Sequence, residues 1–248
     1  MTSTRPTLAR AALLAMLVAA HPRAPAAAPD EPWHGNVAVG GAFASGSTNS
    51  TVLTGSADAT RTTAADKLNL SGNVNYGRSK VDGVETTTAD QLRAAGRYDY
   101  NLSDALFVFG GADGETNKAA GVDTRYNLDT GLGCKMIQEK TTTFDVFAGL
   151  GYTDAKFTDA SSGRGATGVL GEESTHKLSA TTTFKQRAEF HPGAHDIGNF
   201  ATLDASLATA ISGGWTLDTG LTVHYASKVP AGLKATESLL TVGFGYKF

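Results

Sequence analysis

The chain has 248 residues, 41% of them hydrophobic and 18% charged, with 21 Lys and Arg against 24 Asp and Glu for a net charge of −3. That apolar content is too low for a helical membrane protein, and the slight acidity disfavours nucleic acid, which needs basic surface. Gly is frequent at 29 and Pro scarce at 7, so the composition is not that of a disordered chain, and the single Cys134 excludes an internal disulfide and a multi-cysteine zinc site.

Arg5 and Arg10 precede the apolar run Ala11–Ala20, which is too short to cross a bilayer as a helix. A basic start, a short apolar centre and the small-x-small triplet Ala24-Pro25-Ala26 read as a secretory signal over 1–26, with a Pro-containing lead-in over 27–32. Its removal takes away Arg5, Arg10 and Arg23 and leaves 18 basic against 24 acidic side chains.

From Trp33 to Phe248 the chain is a series of segments with apolar residues on every second position, the period of a strand with one apolar and one wet face. The first carries Val37, Val39 and Phe43; the second, Val52 to Arg61, carries Leu53, Ala57 and Ala59. The third sets Leu68, Leu70, Val74 and Tyr76 against Lys67, Asn69, Ser71, Asn73 and Asn75. The fourth sets Leu92, Tyr98 and Tyr100 against Arg93, Arg97 and Asp99. Phe107 and Phe109 lead the fifth, Leu128, Leu132 and Met136 mark the sixth, and Phe144, Val146, Leu150 and Tyr152 the seventh. The segment 154–171, rich in Gly, Ser, Asp and Thr, reads as the longest loop.

Leu170–His191 is read as two strands, Leu170–Leu178 and Thr182–His191, because Leu178-Ser179-Ala180-Thr181 matches the turn Leu102-Ser103-Asp104-Ala105 in chemistry and position. Unbroken pairing from 172 to 187 would reduce the count from twelve to ten. The tenth strand carries Leu203 and Leu207, and Ser212-Gly213-Gly214 is a tight turn into Trp215–Tyr225. The last strand places Leu240, Val242, Phe244, Tyr246 and Phe248 on one face.

Short turns at 62–66, 101–104, 138–141, 179–181 and 212–214 alternate with longer polar stretches at 45–50, 79–86, 115–121, 155–171, 192–199 and 227–235. That asymmetry is the habit of bacterial barrels, and aromatics such as Tyr98, Tyr152, Trp215 and Tyr246 cluster at strand ends, where headgroups favour them. The sequence therefore predicts an all-β, antiparallel, up-and-down transmembrane β-barrel over 33–248, with strands of about ten residues. It is expected in a Gram-negative outer membrane after Sec-type export. The expected partners are outer-membrane lipid and the barrel-assembly machinery, the latter through the C-terminal strand ending in Phe248.

The stretch Trp33-His-Gly-Asn-Val-Ala-Val-Gly-Gly-Ala-Phe-Ala-Ser-Gly-Ser-Thr-Asn49, the run Gly96-Arg-Tyr-Asp-Tyr100 with its Ser-Asp turn, the Arg125…Gly131-Leu-Gly133 run and the closing strand resemble the DUF481 family over about 33–248. Ser47 stands where that family often has Asn. The resemblance implies an outer-membrane barrel, with some members described as salt-induced, and it transfers no active site.

Residues out of phase with the apolar faces should point into the lumen. They include Arg93, Arg97, Asp99, Arg125, Asp129, Asp145, Lys185, Arg187, Asp204 and Asp218, together with Asp58, Lys67, Lys135, Glu189 and Lys247. Their near balance of sign suggests a cross-linked, hydrated interior made of ion pairs; a narrow path in which Arg93, Arg97 and Arg187 favour anions is the sharper reading. A one-residue slip in register would reverse every facing.

An outer-membrane hydrolase and a surface-loop interaction protein are the alternatives to a pore. A strand-borne nucleophile would show as His-x-Ser, and no histidine has that neighbour: His34, His176, His191, His195 and His224 are followed at the second position by Asn, Leu, Gly, Ile and Ala. His191, His195 and Asp196 share a loop, but His-x₃-His is a helical ligand spacing and a Pro-Gly loop suits it poorly. No catalytic residue, cofactor or metal is expected.

Overall fold

A computed structural model describes residues 33–44, 48–81, 84–193 and 196–248; the expected signal 1–26 and lead-in 27–32 lie outside the described residues. Twelve strands follow in chain order: β1 His34–Ala44, β2 Thr48–Thr62, β3 Asp66–Val81, β4 Val84–Asn101, β5 Leu106–Asn117, β6 Val122–Gln138, β7 Thr142–Phe157, β8 Ser162–Lys177, β9 Thr182–His191, β10 Phe200–Ser212, β11 Trp215–Ala226 and β12 Thr236–Lys247. Each pairs antiparallel with its neighbours in sequence, and β1 pairs with β12, so the sheet is a closed barrel. The seam runs from Asn36 opposite Lys247 to Gly40 opposite Gly243. Gly35 and Phe248 exchange two backbone hydrogen bonds of 3.1 Å below it.

The barrel is inside-out relative to a soluble domain. Val37, Val39, Leu70, Leu92, Leu128, Leu150, Leu240 and Phe244 are exposed, whereas Asn75, Gln91, Asp99, Glu115, Arg125 and Asn127 are buried. Alternation on a closed sheet produces both facts at once, since successive side chains point to opposite faces. Tyr98, Tyr100, Trp215 and Tyr246 crown the exterior at the short-turn end, and Tyr126, Tyr152 and Tyr225 at the other. Trp215 and Tyr246 pack edge to face at 5.7 Å.

The break between β8 and β9 holds, and the matched turns share one mechanism. Ser103 Oγ accepts from the amides of Ala105 and Leu106, and Ser179 Oγ accepts from those of Thr181 and Thr182. In both, the residue before the serine donates its amide to the first residue of the next strand. The serine satisfies amides that the ladder no longer reaches.

Several strands exceed the expected ten residues, with β4 reaching 18 and β3, β7 and β8 each 16. The stretches 79–86 and 115–121 contribute to the ends of paired strands, and most of the presumed loop 155–171 is β7 and β8, joined by 158–161 alone. Hydrophobic alternation fades where both faces meet water, but a neighbour in register still captures the backbone: Asp154 pairs with Arg164 and Ala155 with Gly163. The genuinely long connections are 192–199 and 227–235.

Inside, three phenylalanines occupy places that glycines leave open. Phe107, Phe109, Phe147 and Val169 form a buried cluster. A Cβ at Gly133 would strike the Phe107 ring, one at Gly171 the Phe147 ring, and one at Gly131 would lie 2.8 Å from Phe109. The rings therefore lie flat over β6 and β8 and pack the lumen on that side. Gly133→Val should overpack this contact and cost about 1–3 kcal/mol, seen as a lower urea midpoint for the refolded barrel; the same change at Gly110, whose Cβ would meet nothing within 4 Å, should move it little.

Candidate functional site: the barrel lumen

The alternation carries the expected charged residues inward, and the structure pairs most of them. Arg93 on β4 lies 3.5 Å from Asp204 on β10 and 3.9 Å from both Asp113 on β5 and Glu189 on β9. Arg97 binds Asp99 at 2.7 Å and lies over the rings of Phe147 and Phe109 at 4.0 and 4.2 Å, cation–π contacts that fix its guanidinium. Arg187 bridges Glu173 at 2.7 Å and Glu189 at 2.6 Å, also over Phe147. Arg125 binds Glu115 at 2.9 Å in a nearly dry site and caps Phe200, whose other neighbour is the stacked ring of His191.

The remaining candidates are held more loosely. Asp129 faces His191 at 3.9 Å. Asp145 accepts from Gln138 at 2.7 Å near the short-turn end, and Lys135 donates to Asn101 there. Lys185 lies 3.5 Å from Asp58 with half its side chain in solvent. Asp204 accepts from Thr222, and Asp218 accepts from Asn36 and Thr216. Lys247 is exposed at the end of β12.

Several of these contacts cross the lumen. Lys67 on β3 reaches Glu173 on β8 at 2.5 Å, Lys185 on β9 reaches Asp58 on β2, Gln91 on β4 reaches His224 on β11 at 3.0 Å, and Asn117 on β5 reaches Glu237 on β12 at 3.4 Å. Opposite walls are thus tied together at successive heights. At the loop end, segment 227–235 reaches across the mouth: a Cβ at Gly121, in the β5–β6 turn, would meet Pro230 and Leu233 at 2.6 Å. Ser227 and Asn199 bond reciprocally, joining that segment to 192–199.

The filling is lopsided. Phenylalanines and arginines crowd the wall of β4 to β9, while the opposite wall presents Asn36, Ala38, Gly40, Thr54, Ser206 and Gly220. Along that small-residue wall runs a cavity of about 550 Å³. It extends from Thr60 and Lys67 near the short turns to Asn75 and Leu239 higher up.

The structure corrects two expectations about charge. Asp113, Glu115, Glu173 and Glu237 also face the lumen, so its carboxylates exceed its basic groups. The anion-favouring set Arg93, Arg97 and Arg187 is neutralised, largely by these same acids and by Asp99, Glu189 and Asp204. Glu115 falls in a segment whose polarity is that of a loop, and Phe147 shares the parity of Asp145, the one sequence signal that it faces inward.

Among the described residues no three His, Cys, Asp or Glu side chains are placed to hold a metal; His195, part of the weak loop candidate, lies outside them. No histidine nitrogen among the described residues is hydrogen-bonded to a Ser or Thr hydroxyl: His191 stacks on Phe200, His176 on Phe184, and His224 contacts Gln91.

A ring of strands with an apolar exterior, two aromatic girdles and a charged interior defines an outer-membrane β-barrel. The chain belongs to DUF481, a family described as proteins of unknown function, whose profile matches residues 37–248. That description lends no support to a salt-stress role. No curated protein matches the chain. Among solved structures it is similar to an outer membrane channel from Pseudomonas putida F1, at 13% identity over 90% of this chain and 97% of that one with a TM-score of 0.50. It is also similar to the NanC porin, at 12% identity over 86% and 100% with a TM-score of 0.49. The translocator domain of the autotransporter NalP from Neisseria meningitidis follows at 9% identity over 87% of each chain and a TM-score of 0.42.

Arg125 and Glu115 keep only 8% and 6% of their side-chain surface in solvent. Arg125→Ala would strand a buried carboxylate and should cost about 3–5 kcal/mol. Arg78→Ala, which removes an exposed partner of Glu85, should leave the urea midpoint nearly unchanged.

Proposed function

We propose that the protein is a narrow passive pore for small polar solutes rather than an enzyme. The observation that carries this reading is the cavity of about 550 Å³ along the small-residue half of the lumen, with charged side chains in its walls. A purely structural barrel has no need to concentrate its bulky side chains on one wall and leave the other lined by Gly, Ala, Ser and Thr. The ion pairs and stacked rings hold the crowded half rigid, so the free cross-section stays open beside them. The segment 227–235, tied to Asp196 and Asn199, reaches across the outer mouth and narrows the entry.

The surrounding contacts follow from the same architecture. Lipid tails cover the belt of Val39, Leu128, Leu150 and Leu240, and the barrel-assembly machinery engages β12 with Phe248 at its end. Nothing in this reading gives the external segments a binding partner.

Planar-bilayer recording of the refolded protein tests the proposal. The native chain should give small discrete steps. Phe147→Ala, which removes the ring beneath Arg97 and Arg187, should enlarge each step, and shortening 229–233 should raise the fraction of time spent open. A native protein that stays silent under voltage, with both variants equally silent, would show the lumen to be a plug.

A further inference from the structure

We infer that the luminal path passes small cations in preference to anions, with Asp218 the carboxylate that sets the preference; this rests on the pore reading above. The walls of the cavity carry seven carboxylates and five basic side chains. Every one of those five has a carboxylate partner within 4.0 Å: Glu173 for Lys67, Asp58 for Lys185, Asp99 for Arg97, two acids for Arg187 and three for Arg93. Positive charge is cancelled where it stands. Negative charge is left over.

Asp218 is the clearest part of that remainder. Its partners are neutral, the Asn36 amide at 2.8 Å and the Thr216 hydroxyl at 3.0 Å, and among the described residues no Lys or Arg forms an ion pair with it. It projects from β11 on the open half of the lumen, two strands away from Asn36 on β1. Between them lies Gly245 of β12, whose missing side chain lets three oxygens close over its backbone. A Cβ at Gly245 would strike the Asp218 carboxylate and would stand 2.6 Å from Thr216 Oγ1 and 2.8 Å from Asn36 Oδ1.

Two of the oxygens in this cluster are fully buried acceptors without a donor, Asp218 Oδ1 and Asn36 Oδ1. Buried acceptors normally find a donor or a cation. A carboxylate, an amide carbonyl and a hydroxyl clustered on one wall are the kind of oxygen that a hard cation accepts. Arg93 Nε is a free donor that an anion could use, but three carboxylates surround that guanidinium on the crowded wall. Acidic linings with low-dielectric walls raise the local cation concentration and lower that of anions.

The reversal potential across a potassium chloride gradient decides the matter. The native pore should show a potassium-to-chloride permeability ratio above one. Asp218→Asn should bring the ratio toward one, and Lys185→Gln, which removes a basic group from the same cavity without touching Asp218, should raise it. Should the Asn variant fail to refold, the Lys185 variant still reports on the sign. A conducting pore with a ratio at or below one, or one unmoved by either change, overturns the cation preference and leaves the pore intact. Absence of any conductance overturns the pore reading and this inference with it.

Discussion

Closure of the backbone ring is the constraint on which the molecule depends. Hydrocarbon offers no water to an unpaired amide or carbonyl, and each such group costs several kcal/mol there. A sheet can meet that demand only by leaving no edge, so β12 must find β1. Once the ring is closed, the strand period does the rest, delivering each alternate residue to lipid or to the lumen. Val39, Leu128, Leu150 and Leu240 are therefore exposed while Arg125 and Glu115 are buried, the reverse of a soluble domain.

The closed wall sets a second problem, since charged side chains must share a confined interior. Taking an ion out of water costs several kcal/mol, and a partner offsets that cost only when geometry is good. Here carboxylates meet the guanidiniums and aromatic rings lie beneath them, with Arg97 over Phe109 and Phe147 as the clearest case. Glycines on β6 and β8 make room for the rings. The result is a dense half and an open half, and the function proposed for the protein rests on the open one. Cross-lumen pairs such as Lys67–Glu173 also brace opposite walls, so the barrel resists flattening without a domain to fill it.

The sign of the interior shows how a local misreading propagates. Read as a solvated loop, 115–121 leaves Glu115 outside the lumen, and the sequence does not mark Asp113, Glu173 and Glu237 as its partners either. Without them the interior reads as a balanced set of ion pairs, with an anion-favouring path past Arg93, Arg97 and Arg187 as the alternative. Extending β5 to Asn117 returns Glu115 to Arg125, while Glu173 meets Lys67 across the lumen and Arg187 on the neighbouring strand.

Alternation from Val37 to Phe248 by itself determined a closed barrel, its strand number through the matched Leu-Ser turns, and the inward facing of Arg93, Arg97 and Asp218, because a period of two is local and each residue's neighbours suffice to reveal it. Only the tertiary structure decided where strands end beyond the membrane, which acid meets which base, and on which side the lumen stays open. Those outcomes depend on partners a hundred or more residues apart, as with Lys67 and Glu173 or Asn36 and Asp218. Pairing of that range is set by the curvature and stagger of the whole ring, which no single strand encodes.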